Sequence, residues 1–198
     1  MSKQKLREDR RAKQRKKNIV NSLIWGAIIV VLLALGGYLF AKMNQPALGE
    51  KVPIMANASE HLSEGENPGP FNSDPPTSGR HYGQPLDAGF YEAGDPATPV
   101  IYPEGYLLHN LEHGYVIFWY NCETLDTAAE CDALKIQIKD VMSKFLEVKL
   151  IAFPWPSLDV PVVMTSWGYM LRFDEFDQGQ ARSFISANRN HAPEPNAP

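Results

Sequence analysis

Cysteine is scarce in this chain: Cys122 and Cys131 are the only two among 198 residues. They are too few to form a disulfide framework, and a chain of this length can bury a core without one. Basic residues are scarce beyond Met43, where nine face 21 acidic ones, a net of −12. That deficit argues against a domain that binds DNA or RNA. Charge of either sign is missing altogether from Ile19 to Ala41, a run of 23 residues. Internal repeats are also missing, so the length corresponds to one apolar segment plus one domain of ordinary size.

Positive charge is concentrated instead at the N-terminus. The first 17 residues hold nine Lys and Arg against Glu8 and Asp9, a net of +7. The apolar run follows directly. At about 1.5 Å per residue, such a run crosses the roughly 30 Å hydrocarbon core of a bilayer with some tilt. Trp25 and Tyr38 sit near its two ends, as interfacial aromatics do. Nine cations precede it and only Lys42 and Lys51 follow closely, which places the N-terminus in the cytoplasm and the rest of the chain outside. A cleaved signal peptide is the rival reading. Its apolar core is shorter and ends in a small-x-small site. Here Phe40-Ala41-Lys42-Met43-Asn44 follows Leu39, which favours an anchor contacting membrane lipid.

The sequence divides into a basic cytoplasmic tail (1–18), a transmembrane helix (19–41), a linker rich in Pro, Gly, Asn and Glu (42–70), an extracytoplasmic domain (71–190) and a loose tail (191–198). Within the domain, Tyr115–Tyr120 is a short aromatic and β-branched run expected to form a buried strand. Leu134, Ile138, Val141 and Phe145 share one face of a helix expected over Leu125–Val148. Strands are expected at Leu150–Phe153, Val160–Ser166 and Tyr169–Phe173, and a last helix at Gln178–Asn188. This order predicts an α+β (or α/β) fold with a small sheet and two main helices, preceded by the membrane helix. Asn57-Ala58-Ser59 is a glycosylation sequon. The turn-rich stretch NSDPPTSGRHY (72–82) holds two prolines and Gly79 just before His81. Such stiff loops can place a side chain accurately.

For Cys122 and Cys131, an even count outside the cytoplasm points to a disulfide. The short enclosed loop limits its contribution to about 2–3 kcal/mol. Thiolate ligation of zinc or copper and two buried free thiols are the alternatives.

Four of the five histidines, His61, His81, His109 and His113, fall within residues 61–113. His109 and His113 are spaced i, i+4, on one face if the stretch is helical, and Gly114 would end that helix. The same residues read H-x-x-E-H, the inverzincin peptidase pattern, with Glu112 as the group that would activate water. An inverzincin needs a third ligand downstream. Glu147 is the one tidy candidate, and no known pattern surrounds it. A zincin helix also continues past its second histidine, whereas a strand-like run follows here.

The runs FNSDPPTSGRHY, YLLHNLEHGYVIFWYNC, VVMTSWG and FISANRNHAPE resemble the family of domain of unknown function 3105 (DUF3105), over about His61 to Glu194. The resemblance implies a membrane segment followed by an extracytoplasmic domain. It carries His81, His109, Glu112 and His113 over as one site, with His61 as a further family position. Arg80 stands where the family pattern has proline. No activity comes with the resemblance.

Three functions are open. The first is a metal-binding module that holds Zn or Cu through His61, His81, His109, Glu112 and His113 without turnover. The second is a zinc-dependent hydrolase with Glu112 as general base. The third is an envelope structural or interaction protein whose histidines only satisfy hydrogen bonds. All three share a topology that can be tested. Protease added outside intact cells or spheroplasts should destroy the C-terminal domain and spare a tag at the N-terminus. A protected C-terminal domain would reverse the assignment.

Overall fold

The computed structural model describes residues 3–43, 47–98 and 100–197. Residues 44–46 of the expected linker and Pro198 of the expected tail lie outside the described residues. The chain forms two compact units, residues 1–45 and 46–198.

The first unit is one continuous helix, α1 (Lys3–Met43), so the helix extends through the basic segment as well as the apolar run. Its stretch Lys13–Tyr38 is 26 residues long and long and apolar enough to cross a membrane, a property that signal sequences share. Ile19, Leu23, Trp25 and Leu33 are exposed along it. A helix this long and apolar could insert into a membrane.

The second unit is an α+β domain. Its strands are β1 (Glu50–Lys51), β2 (His61–Leu62), β3 (His81–Tyr82), β4 (Gly89–Phe90), β5 (Val116–Tyr120), β6 (Leu150–Pro154), β7 (Val162–Ser166) and β8 (Tyr169–Phe173). Its helices are α2 (Glu104–Glu112), α3 (Ala128–Ser143) and α4 (Gln178–Asn188). Six strands form a mixed sheet in the order β1-β8-β7-β5-β6-β4. The β5–β6 and β6–β4 pairs are parallel, and the others are antiparallel. β2 and β3 form a separate parallel pair.

Side chains alternate between the faces of a strand, and β5 uses both faces. Val116, Phe118 and Tyr120 join Leu134, Ile138 and Val141 of α3 and Phe184 and Ile185 of α4 in one core. Ile117 and Trp119 join Leu107, Leu108 and Leu111 of α2 in the other. This explains why the strand reads as an unbroken apolar run.

α3 is shorter than the apolar period predicts. Cys122–Thr124 forms a 3₁₀ turn, and Thr127 starts the helix through a capping box with Glu130. After Ser143 the chain turns, with Leu146, Glu147 and Lys149 at positive φ. Phe145 still packs on the core from that turn, so the periodicity outlasts the helix. The structure brings Cys122 and Cys131 to disulfide distance, with their Cα atoms 5.2 Å apart.

Two segments expected to be loose are packed. In residues 47–70, Glu50 and Lys51 pair with β8, Val52 and Ala58 are buried, and His61–Leu62 pairs with β3. Pro, Gly and Asn there mark irregular backbone, not absence of contact. In the tail, Glu194 N–H donates to Glu112 O (3.0 Å), and the Lys149 ammonium donates to Pro195 O (2.8 Å) and Ala197 O (3.2 Å).

α2 lies very close to β3. A Cβ on Gly105 would come within 2.3–2.6 Å of the ring of Tyr82, which is fully buried. Gly105→Ala should therefore destabilise the domain by about 1–3 kcal/mol through overpacking. Urea unfolding measures this. An unchanged midpoint and slope would mean that the helix does not approach the strand so closely.

Candidate metal centre

The site is assembled where α2 ends. Leu107, Leu108 and Leu111 bury one side of this helix against the sheet. That leaves His109 and Glu112 directed away from the sheet core, in the last turn. Asn110 fixes the helix sideways: its Oδ1 accepts from Leu86 N–H (2.9 Å) and its Nδ2 donates to Leu86 O (2.8 Å). Gly114, at φ +82, provides the left-handed exit, and a Cβ there would meet the Asn190 backbone at 2.7 Å. His113 is the cap, as the sequence led us to expect of a helix ended by Gly114.

The NSDPPTSGRHY loop delivers His81. Pro75 to Gly79 are buried, so this is an internal brace. The Asp74 carboxylate accepts from Trp155 Nε1–H (2.7 Å) and Ser157 Oγ–H (2.9 Å). Ser78 Oγ accepts from Met55 N–H (3.1 Å), and Thr77 O accepts from Gly168 N–H (3.2 Å). β3 then pairs with β2 in a register that sets His61 opposite His81.

His61, His81, His109 and Glu112 each offer one donor atom, and these atoms lie within 4.8 Å of one another. Glu112 Oε2 is 2.9 Å from His81 Nε2 and 3.9 Å from His61 Nε2. Four donors about 2.1 Å from a tetrahedral ion would lie roughly 3.4 Å apart. The observed spread brackets that value. The ring centroids of His61, His81 and His109 are 4.7–5.4 Å apart.

Backbone carbonyls set the hydrogen positions. His81 Nδ1 is 3.0 Å from Gly79 O, and His109 Nδ1 is 2.7 Å from Tyr82 O. A carbonyl only accepts, so each Nδ1 carries a hydrogen and Nε2 of the neutral ring presents a lone pair. Burial pushes the His109 pKa down to about 4, and His113, His81 and His61 add to the shift against the pull of the Tyr82 carbonyl. His109 is therefore neutral at physiological pH. His81 Nε2 faces a Glu112 oxygen. Such a contact requires a proton or a metal ion.

His113 stands beside this group. Its ring packs against that of His109 at 4.3 Å, and its Nε2 lies 3.8 Å from Glu194 Oε2. Glu147 is exposed on the turn after α3 and belongs to no donor group among the described residues. Several supports carried no signal readable in the sequence. The Gly79 and Tyr82 carbonyls are backbone atoms, and Lys149, which donates to His113 O (2.9 Å), reads as one more surface lysine.

A family model described as a protein of unknown function (DUF3105) matches residues 65–198. The chain belongs to that family. In this DUF3105 protein the matched region contains His81, His109, Glu112 and His113, and His61 stands just before it. No curated protein and no solved structure matches the chain.

The depressed His109 pKa makes stability depend on pH. The unfolded chain takes up this proton near pH 6.5, and the folded domain resists until about 4. Between those values the unfolded state binds more protons, so this contribution is complete above pH 6.5 and is lost as pH falls toward 4. Urea unfolding of metal-free protein should show that decline. His109→Asn, whose Nδ2 can still donate to Tyr82 O, should flatten it. An unchanged slope in the variant would assign the effect to another group.

Proposed function

We propose that this protein is a membrane-anchored, extracytoplasmic metal-binding module that holds a divalent zinc or copper ion through His61, His81, His109 and Glu112, without substrate turnover. The observation that carries the reading is the buried His81–Glu112 contact of 2.9 Å, with His81 Nδ1 already committed to Gly79 O. A ring nitrogen and a carboxylate oxygen this close, with the neutral imidazole of His109 beside them, suit a bound cation. Imidazole and carboxylate donors favour Zn(II) or Cu(II) over Cu(I), which prefers thiolate and thioether. Both cysteines are engaged with each other, so neither adds a soft donor. His113 supports the ring of His109 from the side. The apolar stretch of α1 supports anchorage, and the cation bias before it supports a cytoplasmic N-terminus.

Glu112 is one of the four grouped donors and His113 is not among them, unlike a hydrolase in which both histidines of H-x-x-E-H hold the ion and Glu112 stands apart as base. That arrangement favours binding over hydrolysis. The structural reading replaces the metal with a proton on the His81–Glu112 pair.

Elemental analysis of protein purified without chelators should find close to one Zn or Cu per chain. His81→Ala and His109→Ala should abolish it. Glu112→Gln removes a charged partner contributing about 1.5–3 kcal/mol, and should weaken binding by about 10- to 100-fold. Wild-type protein that holds no ion after reconstitution would leave the structural reading standing. Metal-dependent peptide cleavage by the wild type would support the hydrolase instead.

A further inference from the structure

The four donors differ in exposure. The side chains of His81 and Glu112 are 0% and 4% exposed, whereas that of His61 is 52% exposed. His109 is buried as well. His61 sits on a two-residue strand whose partner is β3. A donor set closed on three sides and open at one ligand has one short path to solvent, through the imidazole of His61. The segment around it is acidic: Glu60, Glu64 and Glu66 are all exposed, with no basic residue between Lys51 and Arg80. Arg80 turns Nη2 of its guanidinium to Gly69 O (2.9 Å) and Asn67 O (3.3 Å). The Tyr82 hydroxyl donates to Glu66 O (2.8 Å), so the acidic loop is fastened to the strand that carries His81.

We infer that the ion enters and leaves through His61, and that the centre is an exchange site for a hydrated divalent cation, not a locked structural site. This rests on the metal reading above. A structural ion is enclosed by all its ligands, and its release requires the fold to open. Here His61 can capture a hydrated ion at the surface while the ion still holds its waters. The ion then sheds them as His81, His109 and Glu112 replace them one at a time. Release reverses the sequence, with His61 as the last contact and the point at which an incoming ligand can take over. The carboxylates at positions 60, 64 and 66 raise the local concentration of cations at this mouth.

Stopped-flow mixing of the full chain in detergent with Zn²⁺ alone tests this, with binding measured separately at equilibrium. His61→Ala should still bind Zn²⁺ at equilibrium, more weakly, and should associate about tenfold or more slowly. Combined Glu64→Gln and Glu66→Gln should slow association and reduce its dependence on ionic strength, whereas Glu147→Gln, on the distant turn after α3 in sequence, should leave it unchanged. Bound Zn²⁺ should pass from wild-type protein to excess chelator within seconds. Wild-type association in His61→Ala, or loss to chelator only over hours, would overturn the exchange reading while leaving a metal site in place. Failure of the wild type to bind Zn²⁺ at equilibrium would overturn both.

Discussion

Burial of β5 on both faces orders the rest of the domain. Because alternate side chains point to opposite sides, Phe118 must be covered by one layer and Trp119 by another. α3 and α4 supply the first layer. Among the described residues the second has one short helix, α2, and is completed by largely irregular chain within residues 52–91 and by Trp155, Leu158 and Trp167. Such a layer can be held only by specific hydrogen bonds, since most of its backbone lacks regular partners. Asn110 to Leu86, Asp74 to Trp155 and Ser78 to Met55 are of this kind. The donor group lies in this layer, carried by the end of α2 and by the short β2–β3 pair that the irregular chain holds in place.

Electrostatics then decides what the group can do. Three imidazoles brought within about 5 Å of one another would repel strongly if protonated. Burial holds His109 neutral, and the carbonyls of Gly79 and Tyr82 turn the lone pairs of His81 and His109 toward the interior. A carboxylate at Glu112 would balance a bound dication in part. A metal-ligating imidazole characteristically donates its second N–H to a carbonyl or carboxylate, and Nδ1 of His81 and of His109 each face a carbonyl in this way.

Elements governed by local periodicity were legible in the sequence. Gln178–Asn188 is helical as expected and Tyr169–Phe173 is a strand, because each has a repeating apolar pattern and clear ends. Helix α3 was found but its ends were not: the Thr127–Glu130 capping box that starts it was passed over, and the apolar period runs on past Ser143 to Phe145. Residues 47–70 were read as a linker because Pro, Gly and Asn disfavour regular structure, and composition says nothing about whether an irregular segment packs. At the site, residue type and spacing nominated His61, His81, His109, Glu112 and His113, and the fold brings donor atoms of His61, His81, His109 and Glu112 within 4.8 Å of one another. Spacing alone could not separate His113 from them, since that depends on Glu112 facing β3 while the His113 cap turns toward Glu194.

The choice of backbone carbonyls as orienting groups has a genetic consequence. Where a side-chain carboxylate holds a ligating histidine, one codon change can remove it. Here no codon change at position 79 or 82 deletes the oxygen that faces His81 or His109. Drift can therefore erode the ligands one by one, but it can reach their orientation only by rerouting the chain. Pro75 and Pro76, buried in the loop that carries Gly79, stiffen the route that would have to change.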